Sequence, residues 1–319
     1  MMKIVVLERG SLGNDISLDG LNQFGEVVIC DNAAMEEVSN LVSDADIVLV
    51  NKLPMNEETI GNASNIKLIC ECATGYNNID LEYCKKKNIT VTNVRNYSTS
   101  SVAQHTFALL LSVYERLFYY DQFVKNGTYA TTNSFSHIAK GFHELDGKTY
   151  GIIGLGNIGR QVAKIATAFG CKVIYYSASN NTYDVPYENV DLETILTTSD
   201  ILSIHCPLTD KTNKLLTYDN IKKMKKDAVI INVGRGPIIC EEDLAKALDE
   251  DLIAGAGLDV FEVEPIKADN PLLKVKDQNK LVMVPHIGWG SVEARTRLVK
   301  DIEESITAFL AGKPRSVVI

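Results

Sequence analysis

Three short blocks in the second half of the chain carry side chains that can move a proton beside a carboxylate-bearing substrate. Arg235 lies in NVGRG (232–236), Glu264 in DVFEVEP (259–265) and His286 in PHIGW (285–289). Each block follows an apolar, β-rich run, at 228–233, 254–260 and 281–285. Parallel strands that end on one sheet edge can bring such residues together although they are far apart in sequence. Histidine exchanges a proton near neutral pH, and a carboxylate beside it fixes the tautomer and stabilises the imidazolium. A guanidinium grips a carboxylate through two parallel hydrogen bonds and polarises the adjacent carbonyl. The set suits moving a hydride at the carbon of a 2-hydroxy acid while a proton moves at its oxygen. Glu262 is the competing acid, and the place before Pro265 favours Glu264. A surface salt bridge is the plain alternative for Arg235, but it would not need the flanking glycines. His105, His137, His143 and His205 read as structural, with His205, at a strand end, the one expected near a cofactor.

A hydride donor is implied by GLGNIG, residues 154–159. The stretch follows the apolar run 150–153 and opens a segment with Ile158, Val162, Ile165, Ala166 and Phe169 at helical spacing, ended by Gly170. In that strand–turn–helix setting Gly154 serves the sharp turn, Gly156 the close approach of a pyrophosphate, and Gly159 the packing of helix on strand. The helix N-terminus then holds the anion. An acid some 20 residues on would bind the ribose 2′-hydroxyl. Ser177 stands there instead, followed by Ala178, Ser179 and Asn180. No carboxylate repels a 2′-phosphate and no arginine attracts one, so NAD is favoured only slightly and NADP stays open.

The elements that position these residues form two alternating series. Apolar runs at 4–7, 27–30, 47–50, 68–72 and 89–92 alternate with candidate helices at 34–42 and 56–63, which implies a parallel sheet covered on both faces. ATGYNN (73–78) follows the fourth strand, where open α/β sheets take ligands. Lys52 follows the third and either faces the same cleft or is an exposed loop lysine. Residues 98–126 read as one long helix and 127–146 as a loop or arm. Six strands follow, at 150–154, 173–176, 201–205, 228–233, 254–260 and 281–285, then a last helix at 291–310 before Gly312 and Pro314. The expected fold is α/β, with two Rossmann-like or flavodoxin-like domains, doubly wound parallel sheets and an interdomain cleft. Residues 1–98 plus 288–319 make the substrate (catalytic) domain and 99–287 the dinucleotide-binding domain, with hinges near 98 and 287 for closure.

Composition narrows the partners. Lys plus Arg 32 against Asp plus Glu 41 gives a net charge of −9 over 319 residues, which opposes non-specific binding to nucleic acid or an anionic membrane. The N-terminal apolar run is too short for a signal-peptide core, and no stretch approaches ~18 consecutive apolar residues. A cytoplasmic protein is expected. The seven cysteines are odd in number and scattered. Even Cys70 and Cys72 lack partner ligands, so reduced buried thiols and no metal are expected. The aromatic stretch 107–135 exceeds what one core helix needs and suggests a homodimer.

Taken with DILSIHCPLT (200–209), these blocks make the chain resemble the D-isomer-specific 2-hydroxyacid dehydrogenases over nearly its whole length. The resemblance implies Arg235 as substrate clamp, Glu264 as partner of the histidine and His286 as acid/base. It implies that main-chain N–H groups of Gly75 and Tyr76 hold the substrate carboxylate. Cofactor contacts are carried onto Asn157, Ile158, Cys206, Pro207, Thr212, Val233, Gly234 and Asp259, beside the glycines and Ser177. ATGYNNID and HIGW are similar to the hydroxypyruvate/glyoxylate reductase (glycerate dehydrogenase) branch. Phosphoglycerate-oxidising relatives usually carry an arginine where this chain has Glu71, and a carboxylate there would repel a phosphate. With no regulatory domain expected after Ile319, a small unphosphorylated 2-keto acid is the expected substrate. Ser177, Gln104 and Gly290 depart from the family pattern, and only the first bears on the cofactor. The alternatives are an NAD(H)-sensing, corepressor-like interaction protein, or D-lactate or phosphoglycerate as substrate. A formate dehydrogenase fits less well.

Overall fold

The computed structural model describes residues 2–319. It divides into two compact units, one of residues 1–98 with 290–319 and one of residues 99–289. The chain thus re-enters the first unit at Gly290 rather than at residue 288.

In the first unit, strands β1 (Met2–Val6), β2 (Gly25–Ile29), β3 (Ile47–Val50), β4 (Leu68–Glu71) and β5 (Thr90–Asn93) form one parallel sheet in the order β2-β1-β3-β4-β5. This is the flavodoxin-like order, whose switch point lies between β1 and β3. IVLV of β3 and LICE of β4 are buried throughout, as sheet interiors covered on both faces require. The two candidate helices are shorter than the sequence suggests. The first is a 3-10 turn, Met35–Glu37, running into Val38–Leu41, and the second is Glu57–Ile60. Only Val38 in the one and Thr59 and Ile60 in the other are buried, so packing rewards no further turns. The C-terminal helix Val292–Leu310 is capped by Ser291 Oγ, which accepts from Ala294 N at 3.2 Å, and buries Leu298, Ile302 and Ile306. Arg295 fastens it to this unit, donating to Leu12 O at 2.8 Å and to Asp15 Oδ2 at 2.8 Å.

The second unit holds β6 (Thr149–Ile153), β7 (Lys172–Tyr176), β8 (Glu188–Asn189), β9 (Ile201–Ile204), β10 (Val229–Asn232), β11 (Gly255–Leu258) and β12 (Leu281–Met283). Their order is β12-β11-β10-β9-β6-β7-β8, all parallel, with the switch point between β6 and β9. The six expected strands are joined by β8, two exposed polar residues that carry no hydrophobic signal.

The expected long helix is two, Thr99–Tyr114 and Leu117–Lys125. Arg116 breaks them with φ of 57°, its guanidinium donating to Asn279 O at 2.9 Å and Ala254 O at 2.8 Å. The first helix buries Val102, Phe107, Leu110 and Val113, the second buries nothing. Anchoring Arg116 to the sheet edge ends the packed helix, and the chain then runs out over the surface. No helix among the described residues is long and apolar enough to cross a membrane.

Candidate active site

Three neighbouring strands of the second unit end level with one another, Asn232 opposite Leu258 and Leu258 opposite Met283. Arg235 follows the first by three residues and His286 the last by three. Between them, the backbone at Gly236 lies against that of Phe261: a Cβ at Gly236 would stand 1.9 Å from Phe261 C. Only glycine permits that approach. Buried Asn232 shapes the Arg235 turn, its Oδ1 accepting from Gly234 N at 3.0 Å and its Nδ2 donating to Arg235 O at 3.0 Å. The half-buried Arg235 side chain donates from Nη1 to Gly234 O at 2.9 Å.

Glu264 and His286 meet. Glu264 Oε2 is 2.7 Å from His286 Nδ1, while Oε1 accepts from Phe261 N at 3.0 Å. The carboxylate is thereby held on its own loop and turned to the imidazole. With Nδ1–H directed at the carboxylate, Nε2 is the nitrogen that can exchange a proton with a ligand. Glu262 is turned elsewhere, its Oε1 accepting from Glu241 N at 2.8 Å. His286 adopts φ of 54°, a left-handed backbone that histidine tolerates better than most residues. Asp259 secures that turn. Its carbonyl accepts from His286 N at 2.8 Å, and its Oδ1 and Oδ2 accept from Ile287 N at 2.7 Å and Gly288 N at 2.9 Å.

The glycine turn fits a dinucleotide. Gly154 has φ of 94°, and a Cβ there would stand 2.7 Å from Cys206 N. A Cβ on Gly159 would stand 2.3 Å from Gly154 O, whereas in front of Gly156 there is open space. No side chain caps the helix Asn157–Ala168, whose N-cap is Gly156, so its N-terminal dipole faces that space as an anion site requires. Ile158 is half-buried and Asn157 exposed beside it. At the end of β7, Ser177 Oγ accepts from Asn181 N at 3.1 Å and lies 3.2 Å from Ser179 Oγ. Arg160 lies over the Tyr183 ring, 4.6 Å from its centroid. After β9, burial pushes the Cys206 thiol up to about 11. Thr212 closes the next turn by donating to Pro207 O at 2.8 Å. Val233 and Gly234 are half-buried at the end of β10. His205 is structural in its contacts: burial takes it down to about 3, and Nε2 lies 2.9 Å from Ser203 Oγ.

The family model for the NAD-binding domain of D-isomer specific 2-hydroxyacid dehydrogenases matches residues 107–288. The chain belongs to that family. The hydroxypyruvate reductase of Blautia hydrogenotrophica is 41% identical to it, over 99% of this chain and 99% of its own. The glycerate dehydrogenase of Methylorubrum extorquens is 36% identical over 99% of this chain and 98% of its own. A solved NADPH-dependent glyoxylate/hydroxypyruvate reductase from Sinorhizobium meliloti, in complex with NADP and malonate, superposes with a TM-score of 0.83 at 26% identity, over 99% and 96% of the two chains. This 2-hydroxyacid dehydrogenase is therefore an NAD(P)-dependent oxidoreductase acting on a CH–OH group.

In the first unit the dehydrogenase presents the loop with Gly75, half-buried, and Tyr76, exposed. The loop is fastened on both sides. Thr74 Oγ1 donates to Val94 O at 2.8 Å and Asn93 Nδ2 to Thr74 O at 2.7 Å. Asn78 Nδ2 donates to Leu53 O at 3.1 Å and to Glu71 Oε2 at 3.0 Å. The Lys52 side chain is exposed, and its backbone is set by Glu8, whose Oε2 accepts from Asn51 N, Lys52 N and Leu53 N at 2.7, 2.8 and 3.2 Å. Sequence reasoning overlooked Glu8, though an acid directly after an apolar strand marks a position on the same sheet edge.

Glu71 corrects the charge argument made from sequence. Its side chain is fully buried, and burial pushes the carboxyl up to about 8, against the opposing pull of the Asn78 bond and of Lys52. Near neutral pH it is largely a neutral acid, so it does not repel a phosphate by charge.

Proposed function

We propose that this dehydrogenase reduces a small 2-keto acid to the D-2-hydroxy acid, with hydroxypyruvate giving D-glycerate and glyoxylate giving glycolate. The observation that carries the reading is the 2.7 Å Glu264–His286 pair, on the sheet edge that also bears the glycine turn. The names of the two relatives above supply the substrate class.

A reduced nicotinamide held at the glycine turn would supply the hydride for the carbonyl carbon. His286 gives the Nε2 proton to the carbonyl oxygen, and Glu264 stabilises the imidazolium beforehand through Nδ1. Arg235 grips the substrate carboxylate and polarises the neighbouring carbonyl. In the first unit, the N–H groups of Gly75 and Tyr76 would donate to a substrate carboxylate, with Lys52 as a nearby positive charge. Gly154, Gly156, Asn157, Ile158 and Gly159 would hold the pyrophosphate. Cys206, Pro207, Thr212, Val233, Gly234 and Asp259 line the rest of the cofactor site. Ser177 and its neighbours offer the ribose uncharged hydroxyls and amides, which suit NADH and tolerate NADPH. Purified protein mixed with NADH and either keto acid should lose absorbance at the nicotinamide band, with NADPH slower. Protein that binds NADH yet leaves both acids unreduced overturns the reading.

The same chain is read as a homodimer. Phe135 and Ile138 are 93% and 80% exposed, and Phe118, Val124 and Phe142 add to the apolar surface of this arm. The arm is nonetheless ordered from within, His137 stacking on Phe123 at 3.8 Å and its Nε2 lying 2.9 Å from Tyr119 Oη. An internally fixed arm with outward apolar side chains suits an isologous contact. Gel filtration should give twice the 35.1 kDa chain mass, and Phe135→Asp with Ile138→Asp should return the monomer. A wild type that elutes as a single chain removes the dimer.

A further inference from the structure

The turn that carries His286 is held from a direction that the strand-end residues do not account for. Besides the two backbone N–H groups it accepts, Asp259 has a third neighbour, His105, from the middle of the helix Thr99–Tyr114. His105 Nε2 stands 3.3 Å from Asp259 Oδ1, at ion-pair distance and off the line of an ideal hydrogen bond. This buried nitrogen has no hydrogen-bond partner among the described residues. The His105 ring also packs on the turn itself: a Cβ on Gly288 would lie 3.1 Å from His105 Cδ2 and 2.7 Å from Asp259 Oδ2. One helical turn earlier, Ser101 Oγ donates to Gly288 O at 2.7 Å. Gly288 is therefore gripped at its N–H by Asp259, at its carbonyl by Ser101 and on its face by His105, two residues after an imidazole with a left-handed backbone.

We propose that His105 is a positioning residue for the acid/base: through Asp259 and Gly288 it fixes the turn that aims the His286 imidazole at Glu264. The argument is geometric. His286 N, Ile287 N and Gly288 N all donate to Asp259, the first to its carbonyl and the other two to its carboxylate. Rotation of that carboxylate therefore shifts Ile287 and Gly288, the two residues that follow His286. A carboxylate held by two N–H groups alone could rotate about χ2, and an imidazole packed 3.3 Å from Oδ1 and against Gly288 opposes this. Small misplacements of a reacting group lower rates steeply. Asp259 and Glu264 from the strand ends and His105 from the helix are the titratable groups whose contacts hold this turn. Among them only His105 belongs to an element outside the sheet edge.

The inference rests on His286 being the acid/base, so the experiment separates the two ideas. His105→Leu, which keeps bulk without a ring nitrogen, is expected to lower kcat about tenfold or more, with KM for the keto acid and the Kd for NADH little changed. His105→Gln, whose amide nitrogen reaches the place of Nε2, is expected to restore most of kcat. Thermal unfolding of both variants is followed in parallel. Wild-type kcat in His105→Leu, beside an inactive His286→Asn, overturns the positioning role alone. So does a kcat that falls equally in the Gln and Leu variants, or only in proportion to the unfolded fraction. An active His286→Asn overturns the acid/base reading, and the inference with it.

Discussion

His286→Asn is expected to lower kcat for keto-acid reduction about 10²–10⁴-fold, the usual contribution of a placed general acid, while NADH affinity stays near wild type. Asparagine is chosen for the backbone. His286 sits at φ of 54°, where asparagine is tolerated and an alanine would add strain of about 1–2 kcal/mol. The loss then reports chemistry rather than a moved turn. The amide cannot release a proton at neutral pH, and Glu264 keeps its bond to Phe261 N at 3.0 Å, so the carboxylate loop should stay in place. Stopped-flow and steady-state assays at a single pH are sufficient. Activity within a factor of about ten of wild type would end the assignment.

Glu71→Gln is expected to make the protein more stable, by an amount that grows with pH. The carboxyl stands at about 8 in the folded chain against 4.5 as its ordinary value, raised first by burial. Between those values the folded protein keeps a proton that the unfolded chain releases, so the folded state binds more protons and its stability falls as pH rises. The penalty is absent below about pH 4.5 and reaches on the order of a few kcal/mol by pH 8. Glutamine is neutral at every pH and keeps an oxygen to accept from Asn78 Nδ2. Its NH2 stands where the acid's hydroxyl would be, at the buried Oε1 that lacks a partner. Denaturant midpoints of the two proteins should agree near pH 5 and separate toward pH 8.5, with the variant higher. A difference that stays constant across that range would show that the carboxyl does not titrate between folded and unfolded states.

How much was legible beforehand follows from the range of each interaction. Short apolar runs between turn residues mark most of the strands, and glycines at 154, 156 and 159 mark a turn whose demands are local: one backbone angle and two close approaches. The ends of β10, β11 and β12 could also be located, since each is followed by glycine, proline or a charged residue. What the local pattern could not supply was anything set by residues far along the chain. The place before Pro265 favours Glu264 over Glu262, but what turns Glu262 away is Glu241, 21 residues before it, whose N–H donates to Glu262 Oε1. The break at Arg116 depends on carbonyls 138 and 163 residues away, so helical periodicity ran straight through it. Likewise β8 exists because it lies beside β7, its own two residues being polar and exposed.

Charge state was hidden for the same reason. Glu71 reads as an anion in the sequence and becomes largely a neutral acid near pH 7 because β4 carries it into the interior, where desolvation exceeds what Asn78 and Lys52 return. His105 reads as one more helix residue until the fold sets its Nε2 against Asp259. The sequence by itself determined the kinds of element, the nucleotide turn and the chemical types gathered at the strand ends, all consequences of spacing over a few residues. Only the tertiary structure decided what turns Glu262 away from the imidazole, which acid loses its charge and what holds the His286 turn, because burial and long-range contact exist only once the chain has closed upon itself.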